Sequence, residues 1–100
     1  MYGVVAAMQD LETEKKVAIK KVVRAFESIE DAKRVVREIK LLKFCQHPNI
    51  LRLVRLPVPP ANREKFEDIY FITELMDTDL FKVIYSRQKL VEQHYQYFMY

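Results

Sequence analysis

Two charged residues carry the sharpest chemical signal in this 100-residue chain. Lys20 sits in the run Lys16-Val17-Ala18-Ile19-Lys20-Lys21-Val22-Val23. Alternate side chains of an extended strand share a face, so Lys20 lies with Ala18 and Val22 while Lys21 lies with Val17 and Ile19. Whichever face is buried carries a lysine. Glu38 falls three residues after Val35 and four before Leu42, at the edge of an apolar helical stripe and apart from the charges Lys33, Arg37 and Lys40. Left unpaired, each of the two would be costly to bury. Either they pair with one another, or both side chains run along apolar neighbours to water. Residue type alone leaves both arrangements open. Metal chemistry is poorly served, since Cys45, His47 and His94 offer no spacing suited to zinc.

The elements that must position these residues follow from pattern. Val4 to Met8 and Lys16 to Val23 are strand-like runs on either side of a polar turn, Gln9 to Glu14, and predict an antiparallel hairpin. Ser28-Ile29-Glu30-Asp31 fits a capping box and predicts a helix start. Ala32, Val35, Val36, Ile39 and Leu42 then recur at the offsets of a core-facing stripe. His47-Pro48-Asn49 closes the helix, because proline disfavours helical geometry in the residue before it. Ile50 to Leu56 reads as a third strand. A loop follows that contains Pro57, Pro59 and Pro60 and runs to Lys65, and Asp68 to Glu74 is strongly β-prone. After the connector Leu75 to Thr78, Asp79 or Thr78 caps a short helix through Tyr85, and a last helix opens around Val91-Glu92.

Composition narrows the function classes. With 17 basic and 14 acidic residues the net charge is 17 − 14 = +3, and half the residues are apolar, which suits one ordinary globular unit with a modest core. No apolar run approaches the ~20 residues of a membrane span, and no leader pattern opens the chain, so membrane insertion and secretion are not expected. The single Cys45 cannot form an internal disulfide, and a reducing compartment is the simplest reading. Gly3 is the only glycine, against about seven at average usage, which excludes a whole dinucleotide fold with its glycine fingerprint. Residues 1–65 hold 14 basic and 8 acidic side chains (+6), and 66–100 hold 3 and 6 (−3). Acids interleave the basic residues and no aromatic platform accompanies them, so a small basic nucleic-acid-binding domain is the weaker alternative.

Several strings then resemble one family. Val17-Ala18-Ile19-Lys20 is the V-A-I-K string of protein kinases, and Tyr2-Gly3-Val4-Val5 looks like the end of their glycine-rich loop. Arg37-Glu38-Ile39-Lys40-Leu41-Leu42 resembles the kinase C-helix and His47-Pro48-Asn49-Ile50 its exit. Thr73-Glu74-Leu75-Met76-Asp77-Thr78-Asp79-Leu80 resembles the hinge of mitogen-activated protein (MAP) kinases. Taken in order, these strings resemble an extracellular-signal-regulated MAP kinase over essentially the whole chain.

The resemblance implies an α+β fold, the protein-kinase N-lobe: an antiparallel sheet of four strands with the C-helix, then the hinge and the first helices of the C-lobe. It divides the chain into a partial N-lobe and hinge over 1–76 and the start of a helical lobe over 77–100. ATP is the implied cofactor, with Mg2+ held by ligands outside these residues. Lys20 would hold the α- and β-phosphates and pair with Glu38. Tyr2, Gly3, Val4 and Val5 would roof the nucleotide, with Val5 and Ala18 on adenine. Thr73 takes the gatekeeper position, the backbones of Glu74 and Met76 meet the adenine edge, and Asp79 faces the ribose. Arg37 matches a helix arginine that reaches a phosphorylated activation loop, and Leu42 and Leu53 match a packed column joining the lobes. Leu90, His94 and Tyr97 resemble the lining of a MAP-kinase docking groove for protein substrates and an upstream kinase. A histidine and a tyrosine sharing a helix face also serve as plain packing residues. No metal ligand set, nucleic acid or membrane is expected, and the cytoplasm, with the nucleus second, is the expected location.

Departures from the family pattern are as informative. Met1 stands just before the tyrosine of G-x-G-x-Y-G, and the H-R-D, D-F-G, T-x-Y and A-P-E strings do not occur in the 100 residues. Phosphoryl transfer needs the base and magnesium ligands that those strings supply. The expectation is the ATP-binding lobe of a Ser/Thr protein kinase that is inactive by itself. The alternative is a non-catalytic or degenerate relative serving as a protein-interaction module.

Overall fold

The computed structural model describes residues 3–58, 61 and 66–100; Tyr2 and most of the proline-containing loop lie outside the described residues. Strands β1 (Val4–Gln9) and β2 (Lys16–Val22) form the expected hairpin, with Val5 opposite Lys20 and Ala7 opposite Ala18. Its turn is closed by the Asp10 and Glu14 amides, which donate to the Lys15 and Asp10 carbonyls at 2.8 Å each. Glu14 adopts φ 59°, a left-handed conformation that few non-glycine residues take outside turns. The Asp10 carboxylate accepts the Glu12 amide at 2.9 Å, and that bond foremost holds its carboxyl below the usual carboxylate range. Gly3 lies where an added Cβ would collide with the Lys21 carbonyl oxygen, so the close crossing of the chain onto β2 requires glycine.

Strand β4 (Ile69–Glu74) inserts between β2 and the short β3 (Leu53–Arg55), giving the sheet order β1-β2-β4-β3, with every pairing antiparallel. Val22 stands opposite Ile69, Lys20 opposite Phe71 and Ala18 opposite Thr73. Directly opposed residues share a face, so Val5, Ala18, Lys20, Val22, Ile69, Phe71 and Thr73 line one side of the sheet.

Helix α1 (Ile29–Phe44) covers one end of that side. Ser28 caps it, its hydroxyl accepting the Asp31 amide at 3.1 Å, and the Cys45 amide closes the other end on the Leu41 carbonyl at 2.8 Å. Val22, Ala25, Val35, Ile69 and Phe71 form the buried core, with Ile39, Leu42 and Leu53 packed against it. Val36, expected in the core stripe, is instead 45% exposed. One step along a helix turns a side chain by about 100°, which carries Val36 off the sheet once Val35 is seated. The third strand also proves shorter than the expected Ile50 to Leu56, because its register shifts between Leu53 and Arg55.

Beyond β2, Arg24 takes φ 50° and donates its amide to the Asp68 carboxylate at 3.0 Å, stitching the exit of β2 to the entrance of β4. Helix α2 (Leu80–Ile84) is capped by Asp79, which accepts the Lys82 amide at 2.8 Å; α3 is Glu92–Met99, and neither helix buries a residue. No helix among the described residues is long and apolar enough to cross a membrane.

Candidate functional site

The site begins at the edge of the core, where α1 stops covering the sheet. Lys20 Nζ lies 3.0 Å from Glu38 Oε1, and the two side chains are 36% and 42% exposed. Of the two arrangements open to these residues, the structure adopts the ion pair. The same ammonium sits 5.6 Å from the centroid of the Phe71 ring, its cross-strand partner, within the range of a cation–π attraction. Phe71 is 1% exposed and forms a rigid floor under the lysine. An ammonium has three donors, so one bond to Glu38 leaves capacity for an anionic ligand.

Beyond Lys20 the sheet face continues uncovered toward the end of β4. Val5 lies opposite Lys20, Ala18 lies between Ala7 and Thr73, and Leu53 stands on the far side of Thr73. Small and apolar side chains thus make a shallow floor on one side of the ammonium. Thr73 donates its hydroxyl to the Glu74 carbonyl at 3.3 Å. The Glu74 carboxylate accepts the Arg52 amide at 3.2 Å, so its side chain serves β3 and leaves the connector backbone to other uses. Met76 follows, 63% exposed, and its backbone makes no hydrogen bond to another described residue.

Not every expected residue joins this group. Val4 stands opposite Lys21, on the other side of the sheet, because side chains alternate along a strand. Its side chain cannot share a roof with Val5. Tyr2 lies outside the described residues. Asp79 has its carboxylate engaged as the cap of α2. Arg37 is exposed on α1 and makes no ion pair with a described residue. Leu90 is half-buried and His94 and Tyr97 are exposed; His94 Nδ1 accepts the Val91 amide at 3.0 Å, which makes it the cap of α3.

Two grooves lie away from Lys20: one of about 880 Å³ between the end of α1 and β3, and one of about 800 Å³ on the outer side of α1. The Lys20 site itself is an open half-face needing a second wall. Among the described residues no three His, Cys, Asp or Glu side chains cluster as a metal site.

Residue type did not disclose Phe71 as the partner of Lys20, since that contact depends on β4 pairing with β2 across some fifty residues of chain. The same holds for Asp68, which joins Lys21 Nζ at 3.3 Å and the Arg24 amide. The Arg24 amide foremost, then Lys21 against an opposing desolvation, keeps the Asp68 carboxyl below the ordinary range; the hydrogen bond that Lys21 donates to Asp68 foremost pushes Lys21 up.

A lysine on the second strand of a hairpin, held by a helix glutamate above an apolar sheet face, is the arrangement implied by the V-A-I-K resemblance. A family model described as the protein kinase domain matches residues 1–100. The chain belongs to the protein kinase domain family. It is 52% identical over 99 residues to mitogen-activated protein kinase 3 of Arabidopsis thaliana, covering 99% of this chain and 26% of that protein. It is 50% identical over 99 residues to mitogen-activated protein kinase 5 of Oryza sativa subsp. indica, covering 99% of the chain and 27% of that protein. Against mitogen-activated protein kinase 9 of Oryza sativa subsp. japonica the figures are 48%, 99% and 14%. This kinase-family chain therefore spans about a quarter or less of the length of these curated relatives. The four-stranded sheet with its packed helix is the kinase N-lobe, α+β as expected, and the MAP-kinase likeness read from the short strings extends over 99 residues.

Proposed function

We propose that this chain supplies the ATP-binding lobe of a MAP-kinase-like Ser/Thr protein kinase. In this reading residues 1–76 hold the nucleotide and hinge, and 77–100 open the helical lobe. The observation that carries it is the Lys20–Glu38 pair at 3.0 Å beside the uncovered half-face of Val5, Ala18 and Thr73. The residues present fit ATP: a positioned ammonium for phosphate oxygens, a small apolar floor for a flat base, and an exposed Met76 backbone with free hydrogen-bonding groups for its edge. ATP, when bound, supplies the γ-phosphoryl group that is transferred. Glu38 fixes the Lys20 ammonium in place, so that orientation costs nothing when phosphate arrives. Val5 and Ala18 exclude water from the base. Mg2+ and the transfer base engage residues that the catalytic strings supply, and those strings do not occur in these 100 residues; protein substrates and an upstream kinase would dock at Leu90, His94 and Tyr97.

Titration of the chain with a fluorescent ATP analogue tests this directly. Weak, saturable binding is expected, competed by ATP and lost in Lys20→Met, with no transfer of labelled phosphate to a protein substrate. The melting transition should move little in that variant, because partly exposed ion pairs contribute only about 0–1 kcal/mol. Binding indifferent to Lys20→Met, or phosphotransfer by the 100 residues alone, would contradict the reading.

A further inference from the structure

Strand β1 is a sheet edge that nothing blunts. It ends the order β1-β2-β4-β3, and among the described residues no strand pairs with its outer side. The Asp10 amide donates to the carbonyl of Lys15, the residue opposite it when the β1–β2 register is continued by one step. Ladder bonds of an antiparallel pair fall on every second residue, so Val4, Ala6 and Met8 aim their amides and carbonyls at β2. Those of Val5 and Ala7 therefore point away from the sheet. Proteins blunt such an edge with charge, proline, a bulge or a short strand, and at the other edge β3 has three residues, a register shift and Arg55. β1 has none of these devices. Val4-Val5-Ala6-Ala7-Met8-Gln9 contains no charge, proline or glycine, the composition of a segment prone to strand pairing, and Val4, Val5 and Met8 are 67%, 63% and 52% exposed.

The strand's own sequence says what would cover it. A second copy brings the same unpaired groups, and a two-fold axis normal to the sheet sets the two strands antiparallel. Opposed residues must then share a face, which allows pairing centred on Ala6 or on Ala7 but not between them. Centred on Ala6, Val4 faces Met8 and Val5 faces Ala7 of the second copy, so every pair is apolar and the small Ala6 meets itself at the closest crossing. Centred on Ala7, Val5 would meet Gln9 and Val4 would meet Asp10. The nearest cations, Lys20 and Lys21 on β2, stand three strand spacings from their copies, about 14 Å at ~4.8 Å each. That exceeds the Debye length of ~8 Å at physiological salt, so their repulsion is largely screened.

We propose that β1 pairs with β1 of a second copy of this chain, antiparallel and centred on Ala6, joining the two four-stranded sheets into one. Val5 of each copy exchanges both backbone hydrogen bonds with Ala7 of the other. The inference stands apart from the nucleotide reading, since backbone groups make the seam and Lys20 and Glu38 take no part in it.

The test uses the full chain carrying Phe81→Ser/Tyr97→Ser, which weakens apolar association through α2 and α3, and reads sedimentation velocity across a concentration series. A monomer–dimer equilibrium is expected. Ala6→Lys and Ala6→Glu should each weaken it at least tenfold with unchanged melting, because Ala6 lies outside the core and each variant sets like charges face to face. An equimolar mixture of the two should restore the dimer, and added salt should weaken that mixed dimer. With Cys45→Ser in place, Ala6→Cys should oxidise to a covalent dimer at least tenfold faster than Ala7→Cys, since residues opposed at a non-hydrogen-bonded position come within disulfide reach. Absence of a dimer in the Phe81→Ser/Tyr97→Ser chain, a dimer indifferent to Ala6→Lys, a mixture no stronger than either variant alone, or equal crosslinking at Ala6 and Ala7 would each overturn the proposal.

Discussion

At the residue scale, the fold is held at its open margin by charges whose partners come from distant segments. Asp68 shows this most clearly, because one carboxylate accepts the Arg24 amide at 3.0 Å and meets the Lys21 ammonium at 3.3 Å. Its folded-state pKa is lowered and that of Lys21 is raised. For a lowered carboxyl the stabilisation is present above its ordinary pKa and disappears as pH falls through the folded value; for a raised lysine it is present below the ordinary pKa and disappears as pH rises through the folded value. The difference in unfolding stability between the natural chain and Asp68→Ala should therefore be flat through neutral pH and shrink at both acid and alkaline extremes. Urea titrations across the pH range check this. A difference that stays constant into acid would mean that the carboxylate's charge is irrelevant to its role.

At the scale of the element, α1 is where local pattern and structure agree best. Ser28 accepts the Asp31 amide at 3.1 Å, as the capping-box string led one to expect. Replacing it with alanine should cost about 1 kcal/mol, which for a domain of this size lowers the melting temperature by roughly 4–8 °C. A thermal melt of Ser28→Ala at low concentration reads this out. A drop well below one degree would mean that the helix start is fixed by packing alone. The hairpin was equally legible, since its two strands are adjacent in sequence and their turn closes on itself. The order β1-β2-β4-β3 was not, because nothing in the Asp68 to Glu74 run says which neighbour it pairs with. That non-local pairing places Phe71 under Lys20, so the charged pair could be suspected from periodicity while its aromatic floor could not. Val36 and Val4 show the limit on the other side. Both are apolar in apolar runs, yet one lies on the outer side of α1 and the other on the opposite side of the sheet from the site, since a run of like residues hides the phase of its own period.

At the scale of the whole molecule, the chain is more extended than a compact domain. Its radius of gyration is 16.2 Å over extents of 51 × 35 × 26 Å, against roughly 13 Å for a compact domain of 100 residues. The C-terminal helices bury no residue. Leu80, Phe81, Ile84, Tyr97 and Met99 are 52%, 68%, 56%, 80% and 85% exposed. α3 does touch the rest through the Asn49 side-chain amide, which donates to the Tyr100 carbonyl at 3.1 Å. That single bond removes little apolar surface from water. Fully burying one such side chain contributes about 1.5–3 kcal/mol, so several left open forfeit an amount comparable to the 5–15 kcal/mol that holds a typical domain together. Association recovers part of it. Residues 66–100 carry 3 basic against 6 acidic side chains, a −3 charge too small to keep an apolar patch of this extent apart from its copies. The chain should sediment as a monomer only when dilute and as larger species as concentration rises. Phe81→Ser/Tyr97→Ser should move that onset to higher concentration without lowering the melting temperature, because neither side chain contributes to the core. Sedimentation velocity across a concentration series separates the outcomes. A natural chain that stays monomeric throughout would mean that α2 and α3 fold back onto the sheet in solution and cover the surface themselves.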